Sequence, residues 1–281
     1  MQRGLAVDFL PELNDFFRSD WCRSKSNHST HVKKFTLNKK GTEIVMNANG
    51  VTQSEKKLDV EEVLFDFEGT LVDFQWSCEQ AIEETLEALQ SIGFHRDRYG
   101  ENPTYATIFN STQKLLEQEK ESGEIAAAAA LIDDIYDKYD ADAGTRWNIY
   151  PDTIQMLQEL KELGFRMGLV SNIGKKALQT TMDRLDLTRH LEVMISRSDV
   201  TRQKPHAQGL LKAAERLGVQ PSQCILIGDS REDVGAARNA GMLAGHLKGG
   251  QHSAESMSDS PADLEIDRLS QLPHLLHRVR P

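Results

Sequence analysis

Between positions 63 and 72 the chain reads Val-Leu-Phe-Asp-Phe-Glu-Gly-Thr-Leu-Val: an apolar run ends on a carboxylate, and a second carboxylate follows two residues later. Side chains alternate faces along an extended strand, so Asp66 and Glu68 point the same way. Gly69 lets the backbone turn there, and a turn at a strand's carboxyl end sets both groups toward one pocket. A nucleophile beside a proton donor is the minimum equipment for covalent acid/base chemistry.

Three further segments carry matching chemistry. Ser171-Asn172 follows an apolar run ending at Val170, Lys204-Pro205 precedes a helical pattern, and Gly228-Asp229-Ser230-Arg231-Glu232-Asp233 follows a run ending at Ile227. Together the four segments supply several carboxylates, hydroxyl and amide donors, and one ammonium. Carboxylates that share a site repel one another unless a cation lies between them. Oxygen ligands without His or Cys select Mg²⁺ rather than Zn²⁺. A lysine with N–H and O–H donors nearby suits a phosphoryl group.

The elements that must position these groups alternate. Val63–Phe67, Arg166–Val170, Leu191–Ile195, Cys224–Ile227 and a short run near Leu264-Glu265-Ile266 read as strands. Helical spacing covers Lys175–Leu185, His206–Leu217 and Glu232–Ala240, with a further helix opening at Pro151 and a last one from Ser270. Such alternation implies a Rossmann-like α/β core, a mostly parallel sheet layered between helices. Trp76–Ile92 and residues 103–141 are helical in spacing and interrupt the pattern after the first strand. The expected organisation is a core of residues 59–73 and 149–281, a helical cap at 74–148, and a poorly ordered extension at 1–58. In that extension only Leu10–Phe17 shows any period, and Met46 is a candidate start of the product. Gly249–Pro261 reads as a Gly/Ser-rich loop.

Composition narrows the class. The 281 residues carry a formal net charge of −10, which argues against a nucleic-acid footprint and an anionic membrane surface. No apolar run approaches the roughly 20 residues that span a bilayer. The acidic Asp8 stands where a secretion signal needs apolar residues, so a cytoplasmic protein is expected. Cys22, Cys78 and Cys224 form no CxxC pair and read as reduced thiols. The nine histidines fall in no zinc-ligand spacing.

The four segments, in this order, resemble the haloacid dehalogenase superfamily, in its phosphatase branch with a helical cap after the first motif; phosphoglycolate phosphatases are the nearest named activity. The resemblance spans Glu61 to about Leu276. It implies that Asp66 is the nucleophile and a metal ligand, that Glu68 is the general acid/base with its backbone carbonyl on the metal, and that Ser171 and Lys204 hold the transferring phosphoryl group. It also implies Asp229 and Asp233 as metal residues, with Thr70 and Asn172 shaping the substrate site. The expected enzyme is a Mg²⁺-dependent phosphatase of a small phosphorylated metabolite, acting through an aspartyl phosphate, as a monomer or homodimer.

Two positions depart from the family pattern. Ala207 stands where a second proline is frequent, a helix-start detail. Glu68 stands where the family's phosphatases normally carry Asp. One methylene moves the carboxyl by roughly 1.5 Å, and misplacement of about 1 Å can cost ~100-fold in rate. Two alternatives stay open: a phosphomutase, which would use the same residues, and, because of Glu68, a weakly active or non-catalytic phosphate-binding regulator. The superfamily's metal-independent attack on carbon is disfavoured by Asp229 and the acid at position 68.

Overall fold

The computed structural model describes residues 33–37, 42–47, 50–53, 58–118, 123–248 and 261–278. The chain divides into two compact units, residues 1–56 and 57–281.

In the first unit, β1 (Lys33–Leu37), β2 (Thr42–Asn47) and β3 (Gly50–Gln53) form an antiparallel sheet. No regular element was expected in this stretch. Met46, the candidate start, pairs with both Lys33 and Val51. The Leu10–Phe17 segment lies outside the described residues.

The second unit is built on a six-stranded parallel sheet. Its strands are β5 (Glu62–Phe65), β6 (Arg166–Val170), β7 (Val193–Ile195), β8 (Cys224–Gly228), β9 (Leu243–Leu247) and β10 (Leu264–Ile266), in the spatial order β10-β9-β8-β5-β6-β7. Alternate residues feed two apolar layers. Val63, Phe65, Met167, Leu169, Ile225 and Ile227 join one, with Met156, Leu157 and Leu160 of α4 (Thr153–Glu162) and Leu178 and Met182 of α5 (Lys175–Arg184). Leu64, Val170, Ile195, Leu226 and Ala244 join the other, with α6 (Gln208–Leu217) and α7 (Arg231–Ala240). Helices on both faces explain why the inner strands are continuously apolar rather than alternating. The expected Rossmann-like α/β architecture is what the chain adopts.

Three helices, α1 (Cys78–Ser91), α2 (Tyr105–Gln118) and α3 (Gly123–Gly144), stand between β5 and α4. Leu86, Leu89, Ile108, Ile132 and Tyr136 extend the first apolar layer into this insertion. The alanine run 126–130 falls inside α3, as its helix propensity predicts.

Several elements differ from expectation. The first strand ends at Phe65 rather than Phe67, because Thr70, Leu71 and Val72 turn their amides back onto the Phe67 carbonyl. β9 was not anticipated: Gly245 and His246 interrupt its apolar run, and only a neighbouring strand makes it readable. Lys33–Gln53 apart, the two other unanticipated strands, β4 (Leu58–Val60) and β11 (Leu276–Arg278), pair in parallel with each other and are too short to show a period. At the chain's end a 3₁₀ turn, Leu269–Gln271, precedes a short α8 (Leu272–Leu275) in place of one helix from Ser270. Most of the Gly249–Pro261 loop lies outside the described residues.

Candidate active site

Register brings the reactive groups level. Phe65 pairs with both Leu169 on β6 and Ile227 on β8, so Asp66, Ser171 and Asp229 leave adjacent strand ends within one residue of the same height. The Asp66 amide still bonds to the Ile227 carbonyl at 2.9 Å, and the Ser171 amide to the Ile195 carbonyl at 2.9 Å. From β5 the chain builds outward through β6 to β7, then returns to β8 on the other side. Crevices at such a reversal are where open α/β sheets bind ligands.

Asp66, Asp229 and Asp233 are buried, and each offers a carboxylate oxygen within 4.8 Å of the others'. Lys204 is buried among them, its Nζ donating to Asp66 Oδ1 and Asp233 Oδ1, both at 2.6 Å. Burial pushes the Asp66 carboxyl well above the usual carboxylate range; Lys204 opposes this, while Asp233 and Asp229 add to it. Burial alone would lower the Lys204 ammonium, but Asp233 and Asp66 outweigh it and hold the group above its ordinary value. One ammonium among three carboxylates leaves surplus negative charge. The donors are all hard oxygens, so the set fits a small divalent cation such as Mg²⁺.

Two glycines make room for this cluster. Gly69 has φ of +82°, and a Cβ there would lie 2.4 Å from Asp229 Oδ2. A Cβ on Gly228 would lie 2.3 Å from the Asp233 carboxyl carbon. Asp233 also closes a capping box at the start of α7: its Oδ2 accepts from the Ser230 amide and hydroxyl, and its own amide donates to Ser230 Oγ. It thus anchors a helix and the Lys204 ammonium together.

The remaining expected residues sit around the cluster in distinct ways. Thr70 is fully buried, and its hydroxyl donates to Asp229 Oδ1 at 3.4 Å, so it orients an acid. Ser171 is buried, its Oγ accepting from the Ile173 amide at 3.3 Å. Asn172 grips the main chain of Lys204 from both sides: Oδ1 accepts from its amide at 3.0 Å, and Nδ2 donates to its carbonyl at 3.3 Å. Asn172 therefore sets the height of the lysine.

Glu68 is the residue the structure does not bring into the acidic cluster. Its Oε1 accepts from the Gln75 amide at 2.7 Å, the Trp76 amide at 2.6 Å and Trp147 Nε1 at 2.7 Å. Gln75 and Trp76 lie on the segment leading into the insertion, Trp147 on the segment leading out. Burial pushes the Glu68 carboxyl up to about 7 against the opposing pull of these hydrogen bonds, that of Trp147 first.

Three contributors were not anticipated as site residues. Tyr105, at the start of α2, accepts from Asn172 Nδ2 at 3.4 Å, and Trp76 packs on its ring at 5.1 Å between centroids. Trp147 contributes through its Nε1 donation to Glu68. His246, buried and paired with Gly228 across β8 and β9, hydrogen-bonds to the Asp229 main chain. Strand alternation facing the sheet's carboxyl end was the available signal for His246; the others depend on distant pairing.

With acids, lysine and hydroxyl ordered along the strand ends in this way, comparison with known proteins is decisive. The family model of the haloacid dehalogenase-like hydrolases matches residues 63–245. The chain belongs to this family. This hydrolase is 28% identical over 235 residues to the phosphoglycolate phosphatase of Escherichia coli (strain K12), covering 76% of this chain and 91% of that one. Among solved structures it is similar to a haloacid dehalogenase-like hydrolase from Bacteroides fragilis, with TM-score 0.55, 25% identity, and coverage of 76% of this chain and 100% of the other. It also shares its fold with the β-phosphoglucomutase of Clostridium difficile, with TM-score 0.52, 20% identity, and coverage of 76% and 93%.

Proposed function

We propose that this hydrolase is a Mg²⁺-dependent phosphatase of a small phosphorylated metabolite, working through an aspartyl phosphate on Asp66. The observation that carries the reading is the buried lysine bonded to two of three clustered carboxylates at the carboxyl ends of β5 and β8. Lys204 occupies Asp66 Oδ1, which leaves Oδ2 as the attacking atom. Asp66, Asp229 and Asp233, with the Glu68 carbonyl, would hold the metal, which supplies positive charge next to the phosphoryl oxygens. The Lys204 ammonium and Ser171 hydroxyl stabilise the same oxygens as negative charge develops. The expelled alkoxide takes its proton from an acid, the role assigned to Glu68, which then serves as base for water attacking the aspartyl phosphate. The helical insertion acts as a cap that excludes bulk water.

Phosphoglycolate is the first substrate to try, supported by the likeness to the Escherichia coli enzyme. The net charge of −10 favours a metabolite over nucleic acid or an anionic bilayer, and no helix among the described residues is long and apolar enough to cross a membrane. We infer a cytoplasmic monomer or homodimer. Purified protein with Mg²⁺ is expected to hydrolyse p-nitrophenyl phosphate and a subset of phosphorylated metabolites. Asp66→Asn should lower kcat at least about 1,000-fold; equal rates for the two proteins would sink the reading.

The tethering of Glu68 favours one second reading, a slow or non-catalytic phosphate binder. Tight binding of inorganic phosphate with no turnover across a metabolite panel would select it. Isomer formation without phosphate release would select a mutase instead.

A further inference from the structure

A buried cation lies apart from the acidic cluster. Arg197, just after β7, is 3% exposed and faces α3 of the insertion. Its Nη1 donates to Asp140 Oδ2 at 2.7 Å and to the Asn172 carbonyl at 3.3 Å. Nη2 meets Asp137, and Nε lies 3.4 Å from Asp133 Oδ1. The guanidinium stands 5.5 Å from the centroid of the Tyr136 ring. Asp140 Oδ2 also accepts from the Gly174 amide at 2.8 Å, two residues beyond Asn172.

The contacts differ in what they do. Asp133 and Asp137 are about half exposed, and ion pairs of that kind contribute little. Asp140 and Arg197 are both buried and bond to each other through Oδ2 and Nη1. A buried pair adds little net stability over apolar packing, yet it fixes geometry strongly. The geometry fixed here spans three segments. The fork holds α3 by Asp140 and the Ser171-Asn172 loop by the Asn172 carbonyl. The Asn172 side chain in turn grips the Lys204 main chain, and Lys204 bonds to Asp66. A lysine at 197 offers one ammonium and cannot reproduce a planar fork.

We infer that Arg197 is a positioning residue that ties the helical insertion, through Asn172, to the height of the Lys204 ammonium. The placement of the insertion and that of the Lys204 loop are then set by one side chain. The catalytic consequence rests on the phosphatase reading; the structural coupling does not.

The test compares Arg197→Lys, Arg197→Ala and the isosteric Asp140→Asn with the Asp133→Asn/Asp137→Asn double variant, all in the full chain. Amide exchange is followed at residues 172–175 and 203–206, and kinetics on the best phosphomonoester. In Arg197→Lys and Asp140→Asn, exchange in the Lys204 loop should quicken about tenfold, and kcat should fall about 10- to 100-fold while KM moves less than about threefold. Millimolar guanidinium should restore part of the kcat of Arg197→Ala. The double variant should match wild type in both readouts. Unchanged exchange at 203–206 in a folded Arg197→Lys or Asp140→Asn protein overturns the coupling whatever the activity, because a merely structural pair would loosen only α3. Quickened exchange with wild-type kcat overturns the positioning role. A wild-type chain inert toward every phosphomonoester defeats the phosphatase reading alone, and exchange still decides the coupling.

Discussion

Asp66 and Lys204 define each other. The ammonium is held above its ordinary pKa by the carboxylates it separates, and those carboxylates are packed closely because it separates them. Removing one partner of such a buried group typically costs about 3–5 kcal/mol. Lys204→Met should therefore destabilise the apo protein by that amount in thermal or denaturant melts. Mg²⁺ should recover part of the stability, since it offsets the same charges, without recovering hydrolysis. Gly69→Ala probes the opposite edge of the cluster. Its Cβ would overlap Asp229 at a φ of +82°, and a cost of about 1–3 kcal/mol is expected, with weaker Mg²⁺ binding by calorimetry. At this scale the sequence was informative. Asp66, Ser171, Lys204 and Asp229 each stand at the end of an apolar run or before a helix, where residue type and order suffice. The grip of Asn172 on Lys204 was not legible, because it depends on two loops 32 residues apart meeting in space.

Among the elements, the segments flanking the insertion show most clearly how a site departs from its pattern. Three donors from both of them converge on one oxygen of Glu68. An aspartate in its place would fall short of at least one, and a buried donor left unpaired costs about 1–3 kcal/mol. Glu68→Asp should thus lower melting stability by that amount and reduce kcat; a faster enzyme would mean that the longer side chain impairs proton transfer. The sequence showed the substitution and the doubt about reach. It did not show the direction of that reach, since Trp147 lies 79 residues away. The helices and most strands were readable from period and propensity. β9 was not, since its Gly245 is chosen for a close approach to Ile227 rather than for strand propensity.

For the whole second unit, metal binding should act as a stabiliser. A ligand at about 100 times its Kd adds roughly 2.7 kcal/mol to the folded state, which in a domain of this size raises Tm by about 5–10 °C. Differential scanning with Mg²⁺ against EDTA checks this, and no shift would argue that the acids hold no cation. The sheet order has a consequence for synthesis. β5 is buried on every residue, and its two neighbours, β6 and β8, follow about a hundred and about a hundred and sixty residues later. On the ribosome this apolar strand emerges long before either edge can be paired. An unpaired hydrophobic edge is a template for self-association, and non-local pairing is slow. The helical insertion is the first segment to emerge behind it, and its Leu86, Leu89 and Ile108 share an apolar layer with Val63 and Phe65, so it is placed to shelter β5 until β6 and β8 arrive.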